Sequence, residues 1–378
     1  MSEKYPKWLR EEQDKGNIVV FEHTLFRNIN FIGKGGFGLI SSADYDGVKI
    51  ALKSLKTKEA TREFVNELKQ LRTIKFHPNV NQFYGITIDP KTDDLMLVLE
   101  FANEGNLREY LQSKWHDNVF KISLNEIIKI ANQITLGLMR LHESNIIHCD
   151  LHPKNILKNN DRFLIADFGL ARKINDSFVS SFTTSHGAPA YIDPQCHINP
   201  AKKRDAKSDV YSLGIIFWEL TSGIASFESS INGVAICVQI LQGYREDTIP
   251  GTPFNFSELY KNCWDINPQN RPTTKEILTA IEKISEETVV EEFITNKNRK
   301  TIPILTRNGT SNLFSVGPSV QMLNEPSLKN LKKSSSNELI ELKAQGLICY
   351  EANNYEGSLN FFKPNNAVAL RSRGQTLD

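Results

Sequence analysis

Cysteine is scarce in this chain. Five residues in 378, Cys149, Cys196, Cys237, Cys263 and Cys349, are odd in number and far apart, with no C-x-x-C pair. That excludes a disulfide framework and a cysteine-based zinc site, and it suits a reducing compartment. Long apolar runs are missing too: nothing approaches the roughly 18 consecutive apolar residues of a membrane helix, and residues 1–14 are polar, without the apolar stretch of a secretory signal. Nor does either sign of charge dominate. Lys plus Arg total 45 against 44 for Asp plus Glu, leaving +1, so no polyanion is indicated at the level of the whole chain. The expectation is a soluble, cytoplasmic protein with neither nucleic acid nor membrane as partner.

What is present is ordinary globular composition, 40% hydrophobic and 24% charged, enough for a sizeable core and two domains or one large domain with an extension. After residue 284 the sequence turns to Glu, Asn, Lys, Ser, Gly and Pro, with Gly309, Gly317, Pro318, Pro326 and the run Ser334, Ser335, Ser336. Such composition lacks the apolar periodicity of a core. The chain is therefore divided into an N-terminal extension (1–25), a main domain (26–284), a flexible linker (285–336) and a C-terminal piece (337–378). In the main domain, β-rich runs at 28–32, 39–43, 48–52, 83–88 and 95–100 suit one antiparallel sheet. A helix over 61–74, with Phe64, Leu68, Leu71 and Ile74 on one face, interrupts them. From residue 107 the strong segments are helical, notably 122–143 and 209–220. The fold class is α+β, a small sheet lobe followed by a larger helical lobe.

The first chemical motif is Gly33-Lys34-Gly35-Gly36-Phe37-Gly38. Glycines in this pattern let a backbone approach a polyphosphate without Cβ obstruction. A Rossmann site would open a helix here, but 39–43 reads as a strand, and no Lys-Ser or Lys-Thr follows to make a P-loop. Alone, the motif is as well explained by a glycine-rich hairpin without a ligand. Downstream come Ile50-Ala51-Leu52-Lys53, Glu67 within the amphipathic helix, His148-Cys149-Asp150-Leu151-His152-Pro153-Lys154-Asn155, and Asp167-Phe168-Gly169. Phosphoryl transfer needs positioning and charge neutralisation more than covalent chemistry. Glycines over phosphates, a lysine, metal-binding oxygens and a carboxylate near the acceptor hydroxyl are the parts required.

Five motifs in this order resemble the eukaryotic protein kinase domain over residues 26–284. The resemblance implies the bilobal kinase fold, the substrates ATP and protein hydroxyls, and Mg²⁺ as metal. It implies that Lys53, fixed by Glu67, contacts the phosphates, that Asp150 accepts the acceptor proton, and that Asn155 and Asp167 hold the metal. It places Ile32, Gly33, Gly35, Gly36, Gly38, Ile40, Ala51, Leu99, Glu100, Ala102 and Leu157 around the nucleotide, Leu99 as gatekeeper and Glu100 to Ala102 as hinge. Leu71, Phe83, His148 and Phe168 resemble a stacked spine, and Asp209 the buried anchor of the catalytic loop. Each of these apolar positions is equally a normal core position. Cys263-Trp264 and Arg271-Pro272 are similar to the closing motif of tyrosine kinases and the tyrosine-kinase-like group.

Departures sharpen the expectations. Cys149 replaces an Arg, which removes the usual cation for a phosphate on the following loop, where Ser177, Ser180, Ser181, Thr183, Thr184 and Ser185 stand. A redox-reactive Cys149 is weighed against an inert packed thiol. Asp193-Pro194-Gln195 replaces A-P-E, so Gln195 is expected to hydrogen-bond Arg271 with a local rearrangement there. His152, Ala188 and Tyr191 depart from both the serine/threonine and the tyrosine patterns; serine/threonine transfer is favoured within a tyrosine-kinase-like assignment. The alternative is a catalytically weak kinase-fold scaffold binding nucleotide and protein partners. Residues 337–378 resemble a degenerate tetratricopeptide or Sel1-like repeat, with Gly346 and Gly374 spaced 28 apart where a period of about 34 is expected. This tail is either a dock for a protein partner or a remnant.

Overall fold

The structure, a computed structural model, describes residues 7–35, 38–54, 60–74, 76–173, 189–199, 203–228, 230, 232–287 and 293–296. Gly36, Phe37, residues 177–188 and the repeat-like tail lie outside the described residues, as does the side chain of Phe64.

A short helix α1 (Lys7–Asp14) precedes the sheet. Strands β1 (Arg27–Gly35), β2 (Gly38–Tyr45) and β3 (Val48–Ser54) are followed by helix α2 (Ala60–Thr73), then β4 (Phe83–Ile88) and β5 (Leu95–Glu100). They form the expected antiparallel five-stranded sheet, in the order β1-β2-β3-β5-β4. Asp46 and Gly47 close the β2–β3 hairpin with φ of 48° and 76°. Two consecutive left-handed residues match the right-handed twist of the flanking strands, which is why Asp-Gly stands there. Strand alternation puts Ala51 and Lys53 on one face of the central strand, opposite Leu99 and Leu97 of β5.

The larger lobe begins with α3 (Leu107–Ser113), opened by a reciprocal cap between Asn106 and Glu109. A hairpin of β6 (Trp115–His116) and β7 (Val119–Ile122) turns through Asp117 and Asn118, both at positive φ. Helix α4 (Leu124–Glu143) follows, its first turn capped by the Ser123 hydroxyl, which accepts from Glu126 N–H. The expected start of this helix at 122 is thus corrected: Ile122 is extended and pairs with Phe293 of the last strand. Short strands β8 (Ile146–Ile147), β9 (Ile156–Asn159), β10 (Arg162–Ile165) and β11 (Arg172–Lys173) carry the loops between them.

After the brief α5 (Pro194–Ile198), helix α6 (Ala206–Ser222) runs through the lobe, buried over nearly its whole length. A helix apolar on every side belongs in the middle of a core, and Val210, Leu213, Phe217 and Trp218 are fully packed. It ends at Gly223, in the left-handed conformation, where an added Cβ would lie 2.3 Å from the Phe120 ring. Helices α7 (Gly233–Leu241), α8 (Phe254–Cys263) and α9 (Thr274–Glu287) complete the lobe, α9 against α4. Within the segment expected as linker, α9 continues to Glu287 and a strand β12 (Phe293–Asn296) pairs antiparallel with β7. Among the described residues, no helix is long and apolar enough to cross a membrane.

Candidate active site

The two lobes meet at a cluster of buried charges. Lys53, on β3, donates to both carboxylate oxygens of Glu67 on α2 at 2.8 Å and to Asp167 Oδ1 at 2.9 Å. Lys53 is 4% exposed and Glu67 2%, so neither charge is tolerable without the other. Burial opposes the ammonium, but Glu67 and Asp167 more than offset it, and the Lys53 pKa is raised. Burial likewise opposes the Asp167 carboxylate, and Lys53 holds it below the usual range. Helix α2 is tied to the segment after Asp167 by Asn66, whose amide donates to Ala171 O at 2.7 Å.

Asp150 and Asn155 lie on the loop between β8 and β9. Asn155 Nδ2 donates to Asp150 O at 2.9 Å and to Asp150 Oδ2 at 3.2 Å, fixing the carboxylate against its own loop. His152 Nε2 is 3.6 Å from the same oxygen. The loop is anchored from below by Asp209 of α6, which accepts from His148 N–H and Cys149 N–H, both at 2.9 Å, and lies 2.9 Å from His142 Nε2. Burial opposes this carboxylate, yet those donors hold its pKa below the ordinary value. Cys149 at φ 67° and Asp167 at φ 63° are left-handed non-glycine residues, a strained conformation that survives because the surrounding hydrogen bonds over-determine it.

The residues expected on the nucleotide side are placed as follows. Ile40 pairs in register with Lys53, and Ala51 with Leu99, which is 7% exposed. Ile32 is 53% exposed on β1. Gly33, Gly35 and Gly38 belong to the β1–β2 hairpin, Gly35 paired with Gly38 at its tip. Leu157, on β9, forms an antiparallel bridge with Asn106. At the expected hinge, Glu100 N–H is taken by Gln82 O, and the Glu100 side chain is held by Asn159 at 2.9 Å and by Arg162. Ala102 follows on the same connection. The rings of His148 and Phe168, two of the expected spine residues, are 5.4 Å apart.

Hard oxygen donors suit Mg²⁺. Asn155 uses its amide NH₂ on Asp150, and Asp167 uses Oδ1 on Lys53, so Asn155 Oδ1 and Asp167 Oδ2 accept no hydrogen bond from a described residue. The residues present fit that ion.

Two of the departures are resolved by the geometry. Arg271 does not bond Gln195; it forms a two-pronged pair with Asp193, 2.8 Å on each branch, and donates to Lys207 O and Asp265 O. Gln195 turns away to Ile266 O at 2.9 Å. The expected rearrangement near Arg271 is therefore a transfer of the anionic partner two residues earlier, to the aspartate of Asp193-Pro194-Gln195. The second is Cys149, where the inert packed thiol is the alternative that fits: burial, with Asp209 adding, pushes it up to about 12, so it is not the thiolate that redox chemistry requires. Its carbonyl accepts from Arg204.

Sequence reasoning also missed a third buried network. The Tyr191 hydroxyl donates to Glu219 Oε1 at 2.6 Å and accepts from Arg108 Nη2 at 2.9 Å, while Arg108 and Glu219 pair directly at 2.6 Å. The Tyr191 ring lies 5.9 Å from that of His152, so this network supports the loop carrying Asp150. The only signal in the sequence was a glutamate inside an apolar helix, which must find a partner once buried.

A family description, protein tyrosine and serine/threonine kinase, matches residues 26–281. The chain is 31% identical over 257 residues to the dual specificity protein kinase pyk3 of Dictyostelium discoideum, covering 66% of this chain and 18% of that protein. It is 31% identical over 259 residues to the serine/threonine-protein kinase STY17 of Arabidopsis thaliana, 67% of this chain and 43% of the relative. It is 30% identical over 269 residues to the tyrosine-protein kinase Abl of Drosophila melanogaster, 70% of this chain and 16% of the relative. The chain thus spans less than half the length of each of these relatives. With the antiparallel sheet, the helical lobe and the buried lysine–glutamate pair between them, it belongs to the protein tyrosine and serine/threonine kinase family.

Proposed function

We propose that the protein is an ATP- and Mg²⁺-dependent protein kinase of the tyrosine-kinase-like group that phosphorylates serine and threonine hydroxyls in cytoplasmic signalling. The observation that carries this reading is Lys53 joined at once to Glu67 and Asp167, 14 and 114 residues away in sequence. An ammonium held in a fixed place is a preformed counter-charge for a phosphate. Lys53 then binds the nucleotide phosphates and Glu67 keeps it oriented; Asn155 and Asp167 would hold the metal, which would supply charge to neutralise the phosphates. Asp150, kept in place by Asn155, orients the acceptor hydroxyl and accepts its proton. The hairpin glycines cover the phosphates, while Ile32, Ile40, Ala51, Leu99, Leu157 and the hinge from Glu100 to Ala102 enclose the base. Protein substrates are the partners, and the tail 337–378 is a further dock for a protein.

The test is to incubate the full chain with labelled ATP, Mg²⁺ and generic protein substrates beside Asp150→Asn, then identify the labelled amino acids. Transfer to serine or threonine that the substitution abolishes supports the reading; label on tyrosine alone overturns the acceptor assignment. Folded protein that binds ATP without transfer makes it a scaffold.

A further inference from the structure

Helix α1 and the segment after it lie outside the span matched to the family, yet they are fastened to the one helix whose position decides whether Lys53 has a partner. Leu9 is fully buried in the same core as Leu68 and Leu71 of α2. The Trp8 ring lies under the charged ends of two α2 residues, 5.1 Å from Lys69 Nζ and 5.9 Å from Arg72 Cζ, a favourable cation–π arrangement. Glu12, only 7% exposed, forms an ion pair with Arg72. Its other contacts are local: Asn17 donates to it at 2.8 Å and Lys15 lies at 3.5 Å.

The segment that follows is stitched to the edge of the sheet. Ile86 N–H donates to Val19 O at 2.9 Å, Phe21 N–H to Ile86 O at 2.8 Å, and the Thr87 hydroxyl to Phe21 O at 3.0 Å. Gly85, at φ 159°, marks the crossing: an added Cβ there would stand 2.3 Å from Val19 O. Helix α1 tied to α2, and the segment after it tied to β4, together form a bracket between sheet and helix.

We propose that α1 is a positioning bracket for phosphoryl transfer, Trp8, Leu9 and Glu12 holding α2 where Glu67 meets Lys53. Glu67, Lys69 and Arg72 lie within about a turn and a half of one helix, so a displacement at Arg72 is carried to Glu67. A shift of about 1 Å stretches the 2.8 Å contacts past hydrogen-bonding distance. On the opposite side Asn66 links α2 to Ala171, so the bracket also bears on the segment that carries Asp167. This inference rests on the assignment of Lys53 and Glu67 as the phosphate-holding pair.

The experiment compares the full chain with Glu12→Arg, Arg72→Glu and the double exchange, measuring kcat, KM for ATP and for a generic peptide, and Tm. Each single reversal is expected to lower kcat about tenfold, within the range typical of coupled sites, with peptide KM within about twofold; the double exchange should return to within about threefold of wild type. A merely structural role would move Tm and leave kcat per folded molecule unchanged. Folded single variants with wild-type kcat, or a double exchange as impaired as the singles, overturn the inference. Should a reversal unfold the chain, Glu12→Gln decides: lowered kcat supports the bracket and unchanged kcat refutes it. Lys53→Met, run alongside, separates the two levels, because transfer surviving that substitution refutes the site assignment itself.

Discussion

Replacing Asp193 by Asn should cost far more stability than removing the neighbouring Gln195, although the glutamine stands where the family pattern places the acidic partner of Arg271. Arg271 is 1% exposed and Asp193 2%, and the two share hydrogen bonds of 2.8 Å on both branches. Neutralising one partner of a buried pair typically costs 3–5 kcal/mol, because the other charge is left uncompensated. The guanidinium retains Lys207 O and Asp265 O, so the low end applies, about 3 kcal/mol. For a domain of this size that is a fall of roughly 6–12 °C in Tm. Gln195→Ala loses one partly exposed hydrogen bond to Ile266 O, worth about 1 kcal/mol or less. Burial opposes the Asp193 charge, but Arg271 holds its pKa below the ordinary 3.8. A depressed carboxylate stabilises fully above its unfolded value and loses that contribution as pH falls through the folded one. The Asp193→Asn deficit should therefore be largest at neutral pH and shrink in strong acid. Urea melts of both variants at several pH values are the assay. A deficit for Asp193→Asn within about 1 kcal/mol of wild type, or one equal to that of Gln195→Ala, would refute the relocated pair.

Burial, with the charge of Arg204 adding, pushes His197 down to about 4 from 6.5. Below pH 6.5 the unfolded chain then takes up a proton that the folded chain refuses, so stability should fall by about 2 kcal/mol between pH 6.5 and 4. His197→Asn should flatten that slope; identical pH profiles in urea would sink the argument. Gly137 sits inside α4, where alanine normally gains about 1 kcal/mol of helix propensity. Here a Cβ would stand 2.4 Å from Asn79 O, a backbone atom that cannot give way, so overpacking wins and Gly137→Ala should lose about 1–3 kcal/mol. A variant as stable as wild type would show that the helix can shift.

The polar motif residues were legible from their resemblance to the kinase pattern: Lys53, Glu67 and Asp167 share hydrogen bonds, and Asn155 bonds Asp150. The sheet was legible from its alternation, to the residue for Phe83–Ile88 and Leu95–Glu100. Other features were not. Asp193 and Gln195 flank one proline, and linear order does not say which of them faces Arg271; the cap that Asp193 makes to Gln195 N–H turns the carboxylate inward. Ile122 was read as helical because the apolar spacing continues smoothly into α4, while the competing signal, Asp117-Asn118 as a tight turn, is only two residues long. Helix α1 is shorter than the roughly 12 residues at which an isolated helix becomes stable, so its existence depends on tertiary contacts that no local pattern reveals.

Strand β12 bears on where this polypeptide can be cut. A recombinant fragment ending at Ile281, where the family match stops, would remove the last turns of α9, including Ile284 at 2% exposure. It would also strip β12 from β7 and leave the N–H and C=O groups of that strand's outer edge open to pairing with other chains. Such a fragment should melt at a lower temperature than one ending beyond Asn296, which keeps both the Ile284 packing and the β7–β12 ladder. The useful boundary of the folded domain therefore lies past the end of its sequence signature.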